Sequence, residues 1–229
     1  MSLLDCIEKE TGADPRWSVI WLHGLGADGH DFAPLVPELV RSDWPAIRFV
    51  FPHAPVQPVT INGGMRMRSW YDIVSFDLAG RADSKGVDAS VARVDALIAR
   101  EVERGTPVSR IVLAGFSQGG AVTLAAGLRR SEPLAGLVAL STYLPLSADA
   151  LARLGETSEA ARRQPLFLAH GRHDPVVPFA AGQDAAQRLR ALGMDVHWRE
   201  YPMAHQVCLE EIEDLRRWFE ARLAGTHSG

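Results

Sequence analysis

The chain has 229 residues, 47% of them hydrophobic and 23% charged, the balance of a soluble globular protein with material for a full core. With 24 Lys and Arg against 28 Asp and Glu, the net charge is −4, which leaves no broad basic field for nucleic acid or an anionic membrane surface. Two cysteines far apart in sequence, Cys6 and Cys208, make no disulfide framework and read as free thiols in a reducing compartment.

In chain order, the opening "MSLLDCIEKETG" carries acidic residues where a signal peptide needs a basic start and a long apolar core, so a cytoplasmic protein is expected. No apolar run approaches the length of a membrane span, and no stable membrane insertion is expected. Six short apolar runs then follow at 17–22, 47–51, 110–115, 136–141, 165–170 and 196–201. Most are near-continuously apolar, as strands buried on both faces are. Between them lie helical patterns. Val87, Val91, Val94, Leu97, Ile98 and Val102 recur at helical spacing within 87–104, and 179–192 and 207–223 read similarly. This alternation predicts a mainly parallel sheet covered by helices. With no repeat and no dividing linker, residues 1–229 read as one domain with an ordered core over about 17–223. The tail 224–229 reads as flexible. A long irregular stretch, 52–85, stands out, because such loops inside a compact domain are functional or mobile.

The chemistry gathers in four stretches. "GFSQG" at 115–119 follows a strand run and opens an Ala-rich helical stretch, the setting in which G-x-S-x-G lifts a nucleophile on a sharp turn. The plainer reading of Ser117 is a helix N-cap. A serine needs a base, and the base needs an orienting acid, which in this setting follow in the order acid, then histidine. Asp174 in "HGRHDPVVP" and His205 in "YPMAHQV" lie downstream in that order, in loops at the carboxyl ends of strands. Asp72 precedes Ser117 and is out of order, and Asp149 reads as a helix cap. The loop "LHGLGADGHD" at 22–31 is placed to supply one oxyanion donor, the Leu25 N–H, and the residue after the serine, Gln118, the other. His170, His173 and Asp174 resemble metal-ligand spacing, but the acid–base reading already accounts for that loop, so no metal is expected.

These residues, with "LHGLGADGHDF", "PHAPVQPVT", "SWYDI", "GFSQGGAV", "HGRHDPVVP" and "YPMAHQV" in order along the chain, resemble the carboxylesterase/acyl-protein thioesterase family, the small lidless branch of the α/β-hydrolases. The resemblance runs from about 17 to 223. It implies an α/β-hydrolase fold with helices on both faces of the sheet, no large lid and no cofactor. It also implies a small-molecule ester as substrate and, as in some members, a homodimer. Carried over, the family's catalytic residues fall on Ser117, Asp174 and His205, its oxyanion positions on Leu25 and Gln118, and its SW-[FY]-D block on Ser69 to Asp72. The amino end is short for the leading antiparallel hairpin of the fold, so an abbreviated sheet is expected. Trp70, Met65, Met67 and Val176 are expected to form an apolar acyl groove. Hydrolysis of esters with small to medium acyl chains is the first expectation. Acyl-protein thioesterase or lysophospholipase activity would use the same triad, and a non-catalytic binding protein of the same fold is the alternative of another class.

Overall fold

The computed structural model describes residues 3–74, 83–147, 150–151, 153 and 159–224. The expected cap at Asp149, residues 75–82 of the irregular stretch and the tail from 225 lie outside these. The main sheet has seven strands: β1 (Cys6–Glu10), β2 (Trp17–Leu22), β3 (Ile47–Pro52), β6 (Ile111–Phe116), β7 (Gly136–Leu140), β8 (Leu166–Gly171) and β9 (Val196–Tyr201). Their order is β1-β3-β2-β6-β7-β8-β9, parallel throughout except for β1 against β3. After β2 the chain goes to β3 on one side and returns as β6 on the other. Such a switch point opens a crevice at the carboxyl ends of the strands, where α/β sheets place ligands.

The strands form where the sequence is apolar on both faces. In β2, Ile20 and Leu22 join one core while Trp17, Val19 and Trp21 join the other. The first core packs under α2 (Ser84–Glu103), α3 (Gln118–Gly127) and α5 (Phe179–Ala191), and the second under α1 (Val36–Leu39) and α6 (Leu209–Ala224). The short α4 (Glu159–Arg162) precedes β8. Each large apolar side chain fully removed from water contributes about 1.5–3 kcal/mol.

Two parts of the fold differ from the sequence reading. Order begins well before residue 17, because the sheet opens with a single antiparallel strand, β1, whose outward residues are polar. Its anchors are ionic: Glu10 pairs with Arg48 at 2.8 Å, and Glu8 with Arg100 and Arg104 at 2.9 Å. The same arginines close on the fully buried Glu101, which also accepts from Ser18 Oγ at 2.7 Å. A buried charge left without its partners costs about 3–5 kcal/mol, so this cluster fixes β1 and α2 together. The stretch 52–85 is also less irregular than it reads. It contains a hairpin of β4 (Val56–Val59) and β5 (Met65–Arg68) around a 3₁₀ turn at Thr60–Asn62. Asp72 accepts from the Thr60 N–H at 2.7 Å and holds that turn.

Candidate active site

Ser117 stands between β6 and α3 with φ 55° and ψ −120°. A side chain in this region of backbone space is strained and persists only when its surroundings force it. Here the Ser117 N–H donates to Leu140 O at 2.8 Å, and its carbonyl accepts from Thr142 Oγ1 at 2.7 Å. The flanking glycines are steric necessities. A Cβ on Gly115 would lie 2.3 Å from Gly119 O, and one on Gly119 2.4 Å from Leu22 O. Strand, turn and helix therefore approach more closely than any other residue allows.

His205 Nε2 lies 3.0 Å from Ser117 Oγ, and His205 Nδ1 lies 2.7 Å from Asp174 Oδ2. The Nδ1–H on the carboxylate leaves the Nε2 lone pair facing the serine hydroxyl. Asp174 is itself held, since its Oδ1 accepts from the N–H groups of Val176 and Val177 at 2.8 and 2.9 Å. The loops carrying Asp174 and His205 are tied together. Arg172 N–H donates to Tyr201 O at 2.8 Å and His173 N–H to Met203 O at 3.1 Å. A Cβ on Gly171 would lie 2.4 Å from Met203 O. The His205 ring rests on Phe116, centroids 4.7 Å apart.

The loop after β2 approaches Ser117 from the other side. Its Gly26 N–H donates to Arg68 O at 2.9 Å and its Ala27 N–H to Gly24 O at 3.3 Å. Among the described hydrogen bonds, neither the Leu25 nor the Gln118 N–H has a partner. The Gln118 side chain points inward, where Oε1 accepts from the Trp70 N–H at 2.9 Å and Nε2 donates to Tyr71 O at 2.7 Å. Trp70 Nε1 donates to His23 O at 2.9 Å.

Two buried histidines support this arrangement: His23, which the sequence reading does not single out, and His170, which it weighs only as part of a metal-ligand spacing. His23 accepts from the Ala54 N–H through Nε2 at 3.1 Å, and its Nδ1 is 2.7 Å from Gly24 O. Burial pushes its pKa down to about 4. His170 places Nε2 2.9 Å from Val177 O and 3.4 Å from Asp174 Oδ2, and burial pushes its pKa down as well. The available signal was their position. Both stand at the end of an apolar strand run, where no water reaches the ring and the backbone must satisfy it.

The expected groove residues separate. Trp70 is fully buried and offers no surface to a bound chain. Its indole braces the loop after β2, which corrects the expectation that it lines the groove. Met67 is half-buried, with its sulfur 3.8 Å from where a Cβ on Gly26 would stand. Met65 and Val176 are exposed. A separate hollow of about 440 Å³ lies beside His205, lined by Phe32, Leu35, Phe116 and Val207 with Asp31 and Glu38. Around Asp174 every oxygen already faces a donor, and His173 is exposed. Among the described residues, the metal-ligand grouping is elsewhere, at Asp28, His30 and His53.

A sequence model of the phospholipase/carboxylesterase family matches residues 7–223. The chain belongs to this family of α/β-hydrolases. Acyl-protein thioesterase 1 of Neurospora crassa is 40% identical over 213 residues, covering 90% of this chain and 86% of that protein. Among solved structures, Arabidopsis thaliana SOBER1 superposes with a TM-score of 0.84 at 33% identity, covering 91% of this chain and 99% of that one. Zea mays acyl-protein thioesterase 2 gives 0.80 at 29% identity, with 95% and 99% covered. Like other members of the phospholipase/carboxylesterase family, this protein is a hydrolase of ester or thioester bonds. No described helix is long and apolar enough to cross a membrane.

Proposed function

We propose that this protein hydrolyses acyl thioesters, and the corresponding oxyesters more slowly, through an acyl-enzyme on Ser117. The observation that carries the reading is the chain of contacts from Ser117 Oγ through His205 to Asp174, at 3.0 and 2.7 Å, on a strained turn. Ser117 Oγ attacks the carbonyl carbon as its proton passes to His205 Nε2. Asp174 holds the ring and stabilises the imidazolium. The oxyanion sits against the Leu25 and Gln118 N–H groups, which have no other partner among the described hydrogen bonds. The carbon–sulfur bond breaks and the thiolate takes the proton from His205. Water then attacks the acyl-Ser117 ester with His205 as base and releases the acid.

The preference for thioesters over a general carboxylesterase role is supported by the thioesterase relatives at about 40% identity. Met67, Met65 and Val176 supply apolar surface for the acyl chain. The free thiols Cys6 and Cys208 fit a reducing, cytoplasmic setting. The test is kcat/KM on thioester and oxyester pairs of one acyl chain, with Ser117→Ala as control. A higher value for the thioester that falls to background in Ser117→Ala is expected. Equal or lower thioester values overturn the preference, and activity retained in Ser117→Ala overturns the mechanism.

A further inference from the structure

Asp28, His30 and His53 bring one ligand atom each within 4.8 Å of one another, outside the Ser117 machinery. Asp28 and His30 belong to the loop after β2, and His53 follows β3. The grouping is built by the backbone. The Gly29 N–H donates to His53 Nδ1 at 3.0 Å, and Asp28 Oδ1 accepts from the His30 N–H at 2.8 Å. A Cβ on Gly29 would lie 2.4 Å from Phe51 O, so the loop is seated hard on the end of β3 and cannot carry Asp28 and His30 away from His53. The two imidazoles lie side by side, centroids 5.5 Å apart.

We propose that these three side chains form a site for a borderline divalent transition-metal ion, Zn²⁺ above all, with water in the fourth position. Two imidazoles and one carboxylate make a zinc-type donor set, whereas Mg²⁺ and Ca²⁺ take oxygen ligands. Ligand atoms around tetrahedral zinc stand about 3.4 Å apart. His30 Nδ1 and Asp28 Oδ1 already stand 3.0 Å apart, while the remaining spacing must contract from within 4.8 Å, and the grouping has the freedom to adjust. The Asp28 and His30 side chains are 43% and 69% exposed, so both can turn without disturbing the core. His53 uses Nδ1 to accept from Gly29, so a metal that takes this lone pair replaces that hydrogen bond and links the loop to β3 directly. The loop is the one that carries Leu25, so the ion acts on the positioning of a proposed oxyanion donor and takes no part in bond breaking.

The test is metal binding by the full-length chain free of any histidine tag, read without reference to activity. Calorimetry with Zn²⁺ and the visible absorption of Co²⁺ are expected to show one saturable equivalent, and Zn²⁺ is expected to raise Tm. His30→Ala, at an exposed position, and Asp28→Asn, at a half-buried one, each weaken binding by roughly tenfold or more and abolish the Tm rise. His197→Ala, at a half-buried histidine outside the grouping, leaves binding unchanged. Absence of a saturable equivalent in the parent chain, or an isotherm that survives both His30→Ala and Asp28→Asn, overturns the site.

Discussion

The two loops that meet at Ser117 are each held by a buried, neutral histidine, and they are held differently. His23 is engaged at both ring nitrogens, taking the Ala54 N–H and facing Gly24 O. His170 is engaged at Nε2 alone, shared between Val177 O and Asp174, while its Nδ1 faces no hydrogen-bond partner and abuts Gly182. The oxyanion side is thus fixed by a ring whose donor and acceptor are both spoken for. Protonating His23 would set an N–H against the Ala54 N–H. The acid side is fixed chiefly by the two backbone N–H groups on Asp174, with His170 as a buttress. On the proposed mechanism, rigidity is concentrated where a backbone donor must be aimed, and charge where an imidazolium must be stabilised.

The largest effect should come from removing that charge. Asp174→Asn is expected to lower kcat by about 10⁴-fold with the fold intact, because the amide favours the wrong His205 tautomer. Steady-state kinetics with a circular dichroism control measure it.

Next comes His23→Leu, which keeps bulk but leaves the Ala54 N–H unpaired and is expected to cost about 1–3 kcal/mol in urea unfolding. The sign with pH follows from the pKa of about 4, lowered by burial from 6.5. Between these values the unfolded chain binds a proton that the folded chain does not. The contribution of His23 is therefore complete above pH 6.5 and is lost as pH falls toward 4. Unfolding midpoints at pH 7 and 5 should differ less in His23→Leu than in the parent, and equal differences would break the comparison.

His170→Asn should be milder, at roughly tenfold in kcat/KM, below the 10²-fold that a 1 Å misplacement can cost. Its distinguishing mark is a loss in kcat with KM unchanged, since His170 meets the reaction only through Asp174. A lowered Tm with kcat unchanged would make His170 a packing residue only.

The smallest effect is expected at Met65→Ser, on the exposed side of the hairpin. A few-fold rise in KM for long acyl chains and none for acetyl substrates would place the acyl chain along the hairpin.

Much of this was legible in the sequence, for physical reasons that also mark where legibility stops. β2, β3, β6, β7 and β8 are buried on both faces, so each appears as a near-continuous apolar run. β1 does not, because "CIEKE" is an edge strand held by arginines tens of residues away, and no local pattern records such pairs. The β4–β5 hairpin is short, exposed and interrupted by Pro58, so it reads as loop. Ser117, Asp174 and His205 stand in the order and loops that the structure brings within hydrogen-bonding distance, because strand ends are visible in sequence. Trp70 was misread because an aromatic in an irregular stretch has no periodicity to mark which way it faces. His23 carries no signal in the sequence and His170 only a metal-like spacing, because the role of each depends on which backbone groups its ring meets.

The Gly26 N–H donates to Arg68 O across the gap between the loop after β2 and the hairpin. The hairpin proposed to offer Met65 and Met67 to an acyl chain is therefore stitched, one residue from Leu25, to the segment proposed to grip the oxyanion. A chain that settles the hairpin also settles the donor. Substrate length should then be felt as turnover more than as affinity, with clipped acyl groups reacting sluggishly even at saturation.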